Sequence, residues 1–119
     1  MRTLGIDTSG RKGSLGLIDG SRIIYQDNPV VRPGGAERFP ALIEEALTTV
    51  GWDPRHLELV VVGKGPGSYT GVRVGLTIAK GLAFTLGTPL GGISTRYALA
   101  APVSKWPGLI CPILESRKD

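Results

Sequence analysis

The run Leu59-Val60-Val61-Val62-Gly63 constrains this chain more than any other stretch, because it is apolar and largely β-branched with no alternation. A strand with one face in water alternates apolar and polar side chains, whereas an unbroken apolar strand is covered on both faces and lies inside a sheet. The segments around it supply the neighbours. Thr3 to Thr8, Gly13 to Ile18 and Arg22 to Gln26 read as short strands separated by the turns Ser9-Gly10-Arg11-Lys12 and Asp19-Gly20-Ser21, connections short enough to make them antiparallel neighbours. Phe39, Leu42, Ile43, Ala46, Leu47 and Val50 fall at helical spacing, with Arg38, Glu44, Glu45, Thr48 and Thr49 opposite, Pro40 in the first turn and Gly51 as the stop. A second helix is predicted over Tyr69 to Leu86, a strand over Leu90 to Ile93, a third helix from Thr95 to Ser104 capped by Ser94, and a last strand over Leu109 to Leu114. Three antiparallel strands followed by helix, strand, helix, strand, helix and strand make an α/β lobe with a mixed sheet.

The second helix carries the most information about packing. Gly71, Gly75, Ala79 and Ala83 recur every four residues and form a ridge poor in side chains, on which another backbone can approach closely. Val72, Val74, Leu76, Ile78, Leu82, Phe84 and Leu86 fill much of the remaining circumference, and Arg73, Thr77 and Lys80 leave only a narrow polar strip. A helix apolar on most sides must be covered on most sides. The sheet and the first helix can supply that cover, but a lobe of 119 residues has few elements available, so the ridge is expected to meet a helix of another chain.

Composition bounds the function without naming it. The chain is 41% hydrophobic, 20% charged and 6% aromatic, the balance of a folded domain, with 18 glycines as the outlier. A net charge of +4 permits contact with nucleic acid, yet no basic run along the sequence focuses it. The single Cys111, in Leu109-Ile110-Cys111-Pro112-Ile113, cannot form an internal disulfide and reads as part of a buried strand, which fits a reducing cytosol. An acidic residue, Asp7, arrives before any apolar leader develops, so the chain is expected to be neither exported nor membrane-spanning.

Catalytic constellations are missing from the sequence. His56, the one histidine, follows Asp53-Pro54-Arg55 on a surface turn, no His/Cys/acid cluster has metal-ligand spacing, and Cys111 has no neighbouring base. The glycine-rich turn through Gly65, Pro66, Gly67, Ser68 and Thr70 leads into a helix N-terminus, as a phosphate cradle would. Lys64 precedes the glycines and no Gly-Lys-Ser/Thr follows, so this is not a Walker loop; it reads as a rigid turn with Ser68 or Thr70 as helix cap.

Three blocks carry a family resemblance: Leu4-Gly5-Ile6-Asp7-Thr8-Ser9, Gly35-Ala36-Glu37-Arg38-Phe39-Pro40-Ala41-Leu42-Ile43, and above all Gly63-Lys64-Gly65-Pro66-Gly67-Ser68-Tyr69-Thr70-Gly71-Val72-Arg73-Val74-Gly75-Leu76. With Ala79 to Ala83 and Pro89 to Ser94 added, the chain resembles the TsaB family, within the glycoprotease-like group that includes TsaD, over essentially its whole length. The resemblance implies an actin-like ATPase (ribonuclease H-like) fold, with 1–108 as the N-terminal lobe and 109–119 as the first strand of a second lobe that is missing or truncated. Sugar kinases, actins and Hsp70-type chaperones hold a metal-bound nucleotide phosphate with an acid and a hairpin at the end of the first strand. By that likeness Asp7, Thr8 and Ser9 are a vestigial phosphate-binding motif. The metal-binding histidine pair of TsaD-like sequences has no counterpart here, so the resemblance implies no catalytic residues, no metal and no cofactor.

The role so implied is that of a non-catalytic, cytoplasmic accessory subunit in making threonylcarbamoyladenosine on tRNA. A TsaD-like catalytic subunit pairs with it through the first two helices, which places Arg38, Leu42, Glu45, Gly71, Arg73, Gly75, Ala79 and Ala83 at the interface. A TsaE-like ATPase joins, and tRNA is reached indirectly through the complex. Two alternatives stay open on the sequence: an actin-like kinase or ATPase lobe, and a self-associating module that forms a homodimer through the same helices.

Overall fold

β1 (Arg2–Asp7) organises the sheet, pairing antiparallel with β2 (Ser14–Asp19) on one side and parallel with β4 (Leu59–Gly63) on the other. β3 (Arg22–Asp27) extends the hairpin beyond β2, and β5 (Leu90–Ile93) extends the parallel side beyond β4, giving the order β3-β2-β1-β4-β5. The computed structural model describes residues 1–31 and 35–114. This is the mixed α/β sheet that the sequence predicts, and β4 lies inside it between β1 and β5; the expected cover on both faces is found on one only, Val60 and Val62 being buried while Leu59 and Val61 on the other face are half-buried.

Two helices cover one face. In β1, β2 and β4 the alternate residues Leu4 and Ile6, Leu15 and Leu17, Val60 and Val62 are in register and buried together. Phe39, Ile43, Ala46 and Leu47 of α1 (Phe39–Val50) and Ala79 and Ala83 of α2 (Tyr69–Leu86) join them in a single core. α1 enters through a 3-10 turn, Gly35–Arg38, and both helices stop at a glycine in the left-handed region, Gly51 (φ 72) and Gly87 (φ 64). Among the described residues no helix is long and apolar enough to cross a membrane.

The opposite face is shaped differently. Gly16, Gly5, Val61 and Gly91 stand in one row across β2, β1, β4 and β5. A Cβ built on Gly5 would meet nothing within 4 Å, so the row is a shallow trough, open at its centre.

Two expectations about the C-terminal part need correcting. The third helix, predicted to reach Ser104, ends as α3 (Thr95–Ala100) and continues as a 3-10 turn over Ala101–Val103. Pro102 accounts for this, since it has no N–H to give the helix ladder, although Ala101 before it keeps α geometry. Leu109 to Leu114 form no strand: Leu109 and Ile113 are 96% and 80% exposed, and Cys111 is exposed rather than buried. Apolar, β-favouring composition makes a strand only where a neighbouring strand completes the ladder, and the sheet of described residues ends at β5. Residues 115–119 of the expected second-lobe strand lie outside the described residues.

Phe39 is 1% exposed and reaches across to Gly13, where a Cβ would collide with its ring. We therefore expect Phe39→Ala to lower the urea unfolding free energy by about 3–5 kcal/mol. Glu45→Ala, on the exposed side of the same helix, should change it by no more than about 0.5 kcal/mol.

Candidate functional site

The carboxyl ends of the parallel strands bring three loops together around Asp7, Thr8 and Ser9. Each of these residues turns toward a different element. Asp7 projects to the face away from α1 and α2, where its Oδ1 accepts the Ser9 N–H at 2.8 Å and its Oδ2 accepts the Thr95 hydroxyl at 2.9 Å. Thr8 points to the helical face, 1% exposed, and its hydroxyl donates to the Gly71 carbonyl in the first turn of α2. The Ser9 carbonyl accepts the Ser68 N–H at 2.7 Å, and its hydroxyl lies 3.3 Å from the Thr95 hydroxyl. A hydroxyl has one proton. Thr95 gives its proton to the carboxylate, so Ser9 is the donor between the two hydroxyls, and the Thr95 oxygen also accepts the Gly65 N–H at 3.2 Å.

Glycines make this closeness possible. A Cβ at Gly63 would fall onto the Asp7 carboxylate, at Gly67 onto the Ser9 backbone, at Gly71 onto the Thr8 carbonyl and at Gly75 onto the Thr8 hydroxyl, all well inside contact distance. Four glycines spaced four residues apart thus face three consecutive residues of β1 and the turn after it. Gly65 sits at φ 88, in the left-handed region where L side chains are strained. Ser68 caps α2 by accepting the Gly71 N–H, as the rigid-turn reading requires, while Pro66 and Thr70 are exposed on that turn.

This geometry revises one sequence expectation and gives the residues of another their partners. The ridge of Gly71, Gly75, Ala79 and Ala83 faces inward, against Thr8 and the β1–β4 side of the sheet, and is buried within this chain. It is therefore no partner surface; the physical need for closeness was real, but the close neighbour is the end of β1. Thr8 and Ser9 are 1% and 4% exposed with their hydroxyls bonded internally, so the motif read as vestigial phosphate-binding ties β1 to the starts of α2 and α3. Arg38, Glu45 and Arg73 of the expected interface are exposed, and Leu42 is half-buried.

The outward side of the helices has its own features. Glu37, Pro40, Thr70, Arg73, Val74, Thr77 and Ile78 line a groove of about 490 Å³ between the entry to α1 and the first half of α2. Arg73 lies over the Tyr69 ring at 5.3 Å from its centre, and further along α2 Phe84 is 90% exposed. His56 is solvent-exposed, as expected of a surface turn; its Nδ1 accepts the Asp53 N–H at 3.2 Å. Arg55, by side-chain hydrogen bond and then backbone N–H, holds the Asp53 carboxyl well below the usual carboxylate range.

Residues 32–119 match the family described as TsaD: tRNA N6-adenosine threonylcarbamoyltransferase. The chain belongs to the TsaD-like family. It is similar to the tRNA threonylcarbamoyladenosine biosynthesis protein TsaB of Bacillus subtilis, 36% identical over 99% of this chain and 52% of that protein. It is also similar to the protein of the same name from Escherichia coli, 34% identical over 84% of this chain and 43% of that one. The chain thus spans about half the length of the curated relatives it matches. Among solved structures, YeaZ from Pseudomonas aeruginosa superposes with a TM-score of 0.80 at 28% identity, covering 88% of this chain and 49% of that one. The fold extends to Thermus thermophilus RuvC, TM-score 0.58 at 22% identity, in keeping with the ribonuclease H-like class.

Thr95 escaped the sequence reading, which stopped at Ser94 as a helix cap. A Ser-Thr pair directly after a short strand was the available signal. Thr95→Val keeps the shape and removes the hydroxyl, leaving the Gly65 N–H and one Asp7 oxygen unpartnered. The expected cost is about 1–3 kcal/mol, with faster hydrogen exchange at the Gly65 amide. The helix glycines separate by face. Gly75→Ala should destabilise by about 1–3 kcal/mol through overpacking against Thr8. Gly81→Ala, where a Cβ meets open space, should stabilise by up to about 1 kcal/mol; thermal melts of the two variants test the inward placement of the ridge.

Proposed function

We propose that this chain acts in the biosynthesis of threonylcarbamoyladenosine on tRNA as a non-catalytic accessory subunit, pairing with a TsaD-like catalytic protein. The observation that carries the reading is the likeness to TsaB proteins along nearly the whole chain. The site supports the non-catalytic part. The one acid at the carboxyl end of β1, Asp7, is engaged through both oxygens, and the hydroxyls beside it are buried and bonded. An actin-like kinase reading would need those groups open to a ligand. A TsaE-like ATPase is the further expected partner, and the setting is cytoplasmic.

With the small-residue ridge turned inward, pairing falls to the outward side of the same two helices. Arg73, Thr77 and Phe84 follow one another along the exposed face of α2, next to the groove at the entry to α1. An exposed aromatic beside an arginine and an apolar-floored groove is the composition of an interface centre.

The test is Thr77→Trp, which adds bulk in the groove without touching the core. The melting temperature should hold while affinity for a TsaD-like protein, measured by calorimetry, falls roughly 5- to 150-fold, the equivalent of about 1–3 kcal/mol of overpacking. Unchanged pairing by the folded variant would refute this interface. Sedimentation of the chain alone shows whether the same surface also makes a homodimer.

A further inference from the structure

Charge that looks diffuse along the sequence is gathered by the fold. Ser9, Gly65 and Thr95 are held together by hydrogen bonds of 3.2 and 3.3 Å, and a cation stands beside each of them. Arg11 and Lys12 follow Ser9 in the β1–β2 loop, Lys64 precedes Gly65, and Arg96 follows Thr95. All four are exposed, and none makes an ion pair among the described residues. The ion pairs that do occur there, of the Met1 amino group with Asp19 and of Arg55 with Asp53, lie at the other edge of the sheet, before β1 and β4 begin. Among the described residues the acids toward this edge are Asp7, engaged through both oxygens, Asp27 at the end of the outermost strand, β3, and Glu37, exposed in the 3-10 turn that leads into α1.

We propose that this loop edge, through Arg11, Lys12, Lys64 and Arg96, docks the phosphodiester backbone of RNA, so that the chain itself touches the tRNA within the complex. Carboxyl ends of parallel strands are where α/β sheets meet their ligands. Two features favour a polymer of phosphates over one small anion. The polar groups at the middle of the cluster are closed on one another, leaving no convergent donors of the kind a small ligand needs. The cations sit instead on two loops and the first turn of α3 around that closed centre, as unpaired charges do along a backbone track. The inference rests on the tRNA-modification reading above.

The experiment titrates an unmodified tRNA transcript against the chain, alone and with its TsaD-like partner, by fluorescence anisotropy across 50–200 mM potassium chloride. The variant carries Arg11→Gln, Lys12→Gln, Lys64→Gln and Arg96→Gln; the control is Arg22→Gln, at the opposite edge. Each phosphate contact contributes about 0.7–0.9 to the slope of log affinity against log salt, so the fourfold variant should lose roughly 3 to 4 from that slope while keeping its circular dichroism spectrum and its affinity for the partner. The control should keep the wild-type slope. A fourfold variant with the wild-type slope would overturn the proposal, as would displacement of tRNA from the wild type by stoichiometric magnesium ATP, which would mark a small-anion site. If the slope falls as expected but the wild-type chain does not pair with a TsaD-like protein, the accessory-subunit reading fails and the RNA surface stands.

Discussion

The lobe depends on the packing of three residues, Asp7, Thr8 and Ser9, against four glycines. Where β1 ends, its backbone and short polar side chains lie so near the β4–α2 turn and the first turns of α2 that no side chain fits at Gly63, Gly67, Gly71 or Gly75. Everything else at this edge follows. α2 can lie low across β1 and β4, its Ala79 and Ala83 can reach the core, and the turn through Gly65 must fold back sharply to bring Ser68 to the helix cap. The polar atoms brought together by this closeness satisfy one another, and among the described residues no buried side-chain polar atom lacks a partner.

Sequence periodicity revealed the elements because each carries its own local signal. The β-branched run placed β4 inside the sheet, and the glycine stops fixed the ends of α1 and α2. Direction was harder. The ridge of Gly71, Gly75, Ala79 and Ala83 announces a close backbone, but periodicity cannot say whose, and the answer lies about sixty residues away at Thr8. Asp7-Thr8-Ser9 was likewise visible as a motif, while its role was not, because the decisive partners Gly71 and Thr95 come from other elements. The apolar stretch from Leu109 misled in the other direction: composition favoured a strand, and only pairing, which no local pattern encodes, decides whether one forms.

The two faces of the sheet and its two edges divide the chemistry. One face is filled by α1 and α2 and supplies the common core; the other carries the glycine-lined trough. Both ion pairs among the described residues lie at the edge where β1 and β4 begin, whereas Arg11, Lys12, Lys64 and Arg96 at the edge where they end are exposed and without an ion pair there. Net charge alone conceals that polarity, which belongs to the topology, since residues from two loops and the start of α3 contribute to it.

The Asp7–Thr95 hydrogen bond joins residues 88 positions apart and the Thr8–Gly71 bond residues 63 apart. Contacts of such long range lower folding rates, because chain entropy is lost before the bonds form. As the chain leaves the ribosome, the β1–β2 hairpin can form early, but its end stays unlatched until α2 and then the start of α3 emerge. The Asp-Thr-Ser turn is thus synthesised well before its partners and completed only after them, which couples the folding of β1 to that of α2 and the start of α3.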